Sequence, residues 1–183
     1  MYDNKILIHP KKVVKEMNKF TNSIITNKYA TYSLEEGIVE HSYTCKMIKG
    51  NQFGIRYAGI DGTRYEMTYS FSNAYEEDIL ADRTFRKDFV NRCPLARGFA
   101  DITLTILHEL GHMHSEQPFN YSEYIHAQIL IGKTANNIVE ANEMYFKIPN
   151  EENATNWAIE WLQDPENRKL AKAFEKEFFK CFI

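Results

Sequence analysis

The residues whose types and spacing point most directly to chemistry are His108, Glu109 and His112, in the run His108-Glu109-Leu110-Gly111-His112. On an α-helix, residues four apart stand one above the other on the same face, so both imidazoles can reach a single ion. Zinc accepts imidazole nitrogen at about 2.0–2.1 Å, a geometry that two histidines one turn apart meet with little strain. Glu109 lies on the flank of that face, where it can take a proton from a nearby water without ligating the ion. Chance would place such a pattern in a chain of this length on the order of one time in a hundred. Its context is also helical. Ile102, Leu104, Ile106 and Leu107 lead in, and Leu110 and Met113 continue an apolar stripe. Gly111 costs a helix roughly 1 kcal/mol relative to Ala, which makes sense where another backbone approaches closely.

Catalytic zinc usually has three protein ligands and one open position, so two histidines leave the set incomplete. His114, two residues past His112, points away across the helix. Between Ser122 and Pro165 the chain offers seven acidic residues: Glu123, Glu140, Glu143, Glu151, Glu152, Glu160 and Asp164. Most belong on a solvated surface, and one is expected to close a His/His/Glu site. Glu151 follows Pro149-Asn150, with Asn150 placed as an N-cap, so it falls in a first helical turn that Trp157 and Trp161 can hold rigidly. Glu140 and Glu143, three apart in a longer helical stretch, are the rivals, with Glu152 behind them. Hydrolysis by a metal-bound water would also need a donor for the oxyanion. His114, Tyr121, Tyr124 and His126 are the candidates.

The elements that must position these groups can be read from periodicity. Val13, Met17, Phe20 and Ile24 recur at helical spacing after Pro10, with Lys11, Lys12, Lys15 and Lys19 as a solvated face. Between Ile38 and Phe71 the period changes to two. Three alternating runs, broken at Gly50-Asn51 and Gly59-Ile60-Asp61-Gly62, read as a three-stranded antiparallel meander, and the aromatic alternation of Thr63–Phe71 reads as core packing more readily than as an edge holding an extended substrate. Helical text follows. Glu76 to Arg92 leads into Phe99–Glu116, which Pro118 stops. A helix or helix pair then covers Ser122–Lys147, with Gly132 as a break. Another runs from about Asn150 to Leu162, and the last carries Leu170, Phe174, Phe178 and Phe182. With no linker, repeat or low-complexity tract, one α+β domain over residues 1–183 is the economical reading.

Composition narrows the class. At 183 residues with 44% hydrophobic and 26% charged side chains, the chain has a globular balance rather than that of a disordered one. No stretch reaches the ~20 apolar residues of a membrane span, and Met1–Ile8 lacks the apolar region of a secretory signal. The net charge of −3 gives no sign of a nucleic-acid-coating surface. Cys45, Cys93 and Cys181 are an odd, widely spaced set, which suits reduced thiols in the cytoplasm.

The pairing of His108-Glu109-Leu110-Gly111-His112 with the segment from Glu151 to Leu162 resembles the ImmA/IrrE family of zinc metallopeptidases. The family's second signature has a ligand Glu, an Ala three residues on, an aromatic-Ala pair at six and seven, then large apolar residues and a nearby Pro. Glu151, Ala154, Trp157, Ala158, Trp161, Leu162 and Pro165 occupy such positions, and the likeness extends from Ala100 to Pro165. The resemblance implies a small gluzincin-like fold, with a short antiparallel sheet packed on the active-site helix and a second helix supplying Glu151. It also implies Zn2+ as cofactor, Glu109 as the base that passes a proton to the leaving amine, and a protein substrate such as a repressor or antitoxin-like regulator. A zinc-containing regulatory or binding protein of the same fold, without peptidase activity, is the alternative; the intact Glu109 speaks against it.

Overall fold

The computed structural model describes residues 10–25, 42–49, 54–60, 64–71, 85–114 and 121–181, with the strands described by their main chain. The turns at Gly50-Asn51 and Asp61-Gly62, the start of the chain, Pro118 and the first part of Glu76–Arg92 lie outside these residues. Contacts divide the chain into two compact units, residues 1–73 with 169–183, and residues 74–168.

The first unit holds helix α1 (Pro10–Ile25) and strands β1 (Ser42–Lys49), β2 (Gly54–Ile60) and β3 (Arg64–Phe71). It also holds most of the last helix, α7 (Pro165–Phe179). Met17, Phe20 and Thr21 form the buried face of α1, opposite exposed Lys12, Lys15 and Lys19. Phe20 stacks on Phe174 at 4.4 Å between ring centroids, and Phe178 packs beside Phe174.

The second unit is built from α2 (85–92), a 3-10 turn (Pro94–Gly98), α3 (Asp101–His114), α4 (Tyr121–Thr134), α5 (Ile138–Tyr145) and α6 (Pro149–Trp161). Its core gathers Phe89, Cys93, Ala96, Ile102, Leu104, Ile106, Leu107 and Leu110 with Ala154, Ala158 and Leu162. The Arg86 guanidinium ties α2 to the start of α3, donating to the Asp101 carboxylate and, at 2.9 Å, to the Phe99 carbonyl. Gly132 continues α4 rather than breaking it. The chain turns instead at 135–137, where the Asn137 side chain accepts the Glu140 N–H and starts α5. Among the described residues no helix is long and apolar enough to cross a membrane.

The fold-class expectation needs correction. Among the residues described down to their side chains there are seven helices and no strand, and the unit around the candidate site is helical. The expected three-stranded antiparallel sheet on the active-site helix is therefore not found among these residues, and the strands fall in the other unit. They are also not a meander. β1 pairs β3 in parallel, β2 pairs β3 antiparallel, and the order is β1-β3-β2. Period-two alternation marks an extended segment and its two faces, but parallel and antiparallel ladders accept the same alternation. Because β3 is paired on both sides, Arg64–Phe71 offers no free edge for a substrate strand.

Candidate metal centre

Helix α3 carries His108 and His112 one turn apart, and α6 brings Glu151 against them. The approach depends on Gly111. A Cβ there would stand 2.8 Å from both the carbonyl carbon and the Cα of Ala154, backbone atoms that cannot swing aside. Ala154 and Ala158, both fully buried, keep the facing side of α6 equally thin. The buried residues of α6 are Glu151, Ala154, Thr155 and Ala158, the spacing of a single helical face.

Glu151 Oε2 lies 3.0 Å from His108 Nε2 and 3.3 Å from His112 Nε2. One donor atom from each residue falls within 4.8 Å of the others. Donors about 2.0–2.1 Å from a tetrahedral ion are about 3.3 Å apart, so the three approach the spacing of a common ligand set. Two imidazole nitrogens and a carboxylate oxygen are also the donor types of catalytic zinc. The residues fit the metal.

Further groups orient these donors. His108 Nδ1 donates to Thr155 Oγ1 at 3.0 Å, and that hydroxyl donates to the Glu151 carbonyl at 3.1 Å. This relay leaves Nε2 of His108 facing the shared centre. The Asn150 side-chain amide is 3.0 Å from His112 Nδ1, and turning the amide over presents its oxygen to an Nδ1–H. Tyr145 donates to Glu151 Oε1 at 2.8 Å. Phe85 and Phe146 stand edge-on to the His108 ring, at 5.3 and 6.4 Å between centroids.

Electrostatics follow from burial and this pairing. Burial would raise Glu151, but the two imidazoles that face it through Nε2, His108 and His112, hold its carboxyl well below the usual range. Burial lowers His108 despite its bond to Glu151. For His112 burial is outweighed by the hydrogen bond and charge of Glu151, and the net shift is upward. Burial pushes Glu109 up to about 7, against the opposing charge of His112.

The structure thus brings together His108, His112 and Glu151, with Glu109 on the same helix. It does not bring in the rivals. Glu140 accepts from the Asn136 main-chain and side-chain nitrogens at the surface, both at 2.8 Å, and Glu143 and Glu152 are exposed. Asn150 is not the cap of α6. Ile148 is the N-cap and Pro149 the first helical residue, because proline lacks an N–H and has the helical φ built in. Asn150 is thereby released to meet His112. Among the oxyanion candidates, His114 stacks on Trp157 at 4.5 Å, His126 is exposed, and Tyr124 lies 3.0 Å from the Tyr145 hydroxyl. The Tyr121 side chain lies outside the described residues. Thr155 and Tyr145 were missed. Thr155, four residues from Glu151 on the same face, carried a faint signal; Tyr145 carried none. No family model, curated protein or solved structure matches the chain.

Proposed function

We propose that the protein is a zinc-dependent endopeptidase that cleaves a specific protein substrate, a transcriptional repressor or antitoxin-like regulator, in the cytoplasm. The observation that carries the reading is the convergence of His108, His112 and Glu151 with Glu109 adjacent on α3. Structural zinc takes four ligands, often cysteines, whereas this set has three and an acid poised to act as a base. Cys93 and Cys181 are free, buried and outside the cluster, which also suits a reducing compartment. A zinc ion held here would polarise a carbonyl and acidify a water, the chemistry that peptide hydrolysis requires.

The chain's own residues supply the rest. Glu109, half-buried on α3 beside the two histidines, is placed to take a proton and return it to a leaving amine. Thr155 and Asn150 hold the imidazoles in line, and Phe85 and Phe146 flank the His108 ring with apolar surface. The choice of a regulator as substrate rests on the ImmA/IrrE resemblance. Its second signature has a physical meaning in α6: Glu151, Ala154, Ala158 and Leu162 are all buried residues of that segment, thin where α3 comes close.

The test is digestion of a proteome-derived peptide library by the zinc-loaded protein, with new termini identified by mass spectrometry. New termini are expected from the parent protein. Glu109→Gln should keep zinc and fold yet produce none, because the amide preserves shape and removes the base. No new termini from the zinc-loaded parent, or equal cleavage by the Gln variant, overturns the reading.

A further inference from the structure

The two oxygens of Glu151 have different partners. Oε2 faces both imidazoles, at 3.0 Å from His108 and 3.3 Å from His112. Oε1 accepts the Tyr145 hydroxyl at 2.8 Å. An ionised carboxylate can only accept, so the single hydroxyl hydrogen of Tyr145 is committed to it. The Tyr124 hydroxyl, 3.0 Å from that of Tyr145, is then the donor in their contact, and it also comes within hydrogen-bonding reach of Glu151 itself and of Gln128. The result is a relay from α4 through α5 to α6, Tyr124 to Tyr145 to Glu151. It is partly buried along its length, with the carboxylate itself only 3% exposed.

We infer that Tyr145, backed by Tyr124, is a positioning residue that sets how Glu151 binds metal, holding Oε1 away so that Oε2 alone is the ligand. The inference rests on the metal-centre reading proposed above and deepens it. A glutamate free to rotate can offer both oxygens to one cation, and the second oxygen then competes for the position that catalysis needs open. A hydrogen bond to Oε1 prevents this at the cost of one buried hydroxyl, which finds its own donor in Tyr124. Tyr145 can do so because it closes α5 only a few residues before Pro149 starts α6. The short link keeps the hydroxyl and the carboxylate in a fixed relation. The aromatic ring is held independently of the hydroxyl, edge-on to Phe146 at 5.3 Å.

Cobalt in place of zinc provides a readout separate from activity, since its visible absorption weakens as coordination rises above four. The full-length protein and its Tyr145→Phe and Tyr124→Phe variants would be titrated with Co2+, and zinc affinity measured by competition with a chromogenic chelator. Tyr145→Phe is expected to weaken the visible band and lower zinc affinity about tenfold or more, the usual effect of losing a group that supports a ligand. Tyr124→Phe should move both in the same direction by less. Thermal melts of the metal-free proteins, unchanged between parent and variant, would separate positioning from general damage to the fold. If Tyr145→Phe does not fold, Tyr124→Phe decides by the same readouts. A cobalt spectrum and zinc affinity identical to the parent's would overturn the inference while leaving the metal centre standing. A parent that binds neither Co2+ nor Zn2+ would overturn both.

Discussion

Glu151 is the residue on which the candidate site turns, because it alone comes from a second helix and meets both imidazoles through one oxygen. Glu151→Gln keeps the shape of the side chain but removes its charge. Zinc affinity should fall by more than the roughly 10–100-fold that loss of a supporting residue costs. Glu140→Gln and Glu143→Gln should leave it unchanged, since Glu140 is engaged with Asn136 at the surface and Glu143 is exposed. Competition titration with a chromogenic chelator checks this, and loss of affinity in the Glu140 variant would move the third ligand elsewhere. His108, Glu109 and His112 were legible in the sequence because within one helical turn spacing along the chain is spacing in space. Thr155 and Tyr145 were not, because a hydroxyl's role depends on which partner packing brings to it.

At the scale of elements, the decisive contact is α3 against α6. Gly111 permits it, and Gly111→Ala tests it. On an isolated helix the substitution would stabilise by about 1 kcal/mol. Here the new methyl would press on the Ala154 backbone, and overpacking of this kind costs about 1–3 kcal/mol or more. At about 2–4 °C per kcal/mol for a chain of this size, the thermal midpoint should fall by several degrees. Zinc affinity should fall as well, because α6 cannot yield without moving Glu151. A variant with unchanged midpoint and affinity would show that the helices have room to spare. Helix boundaries were read from the sequence to within a few residues, but local signals misled at two points. Asn150 looked like a cap and Gly132 like a break, whereas Pro149 and Asn137 set the ends.

For the whole molecule, the buried carboxylates make opposite demands on pH when no metal is bound. Glu109 is raised from its ordinary 4.5 to about 7, so the folded state holds its proton more tightly than the unfolded chain. That contribution is complete below pH ~4.5 and is lost as pH rises through about 7. Glu151 is depressed, so its contribution is present above its ordinary 4.5 and lost as pH falls toward the lower folded value. The metal-free protein should therefore be most stable near pH 4.5 and lose stability steadily as pH rises from there through about 7. Glu109→Gln should flatten the alkaline side alone. Thermal midpoints of chelator-treated protein across that range check it, and an unaltered alkaline slope in the variant would exclude Glu109 as the cause. The amino-acid sequence by itself determined the helical segments, the paired histidines with their acid, and a short set of carboxylates for the third position. These are local properties, set by periodicity and by residue type. Tertiary structure alone decided that β1 pairs β3 in parallel, that the strands and the site fall in different units, and that Glu151 rather than Glu140 meets the histidines. Each is a pairing between distant segments, chosen by which backbones can come close enough. At Gly111 and Ala154 that choice came down to the absence of one carbon atom.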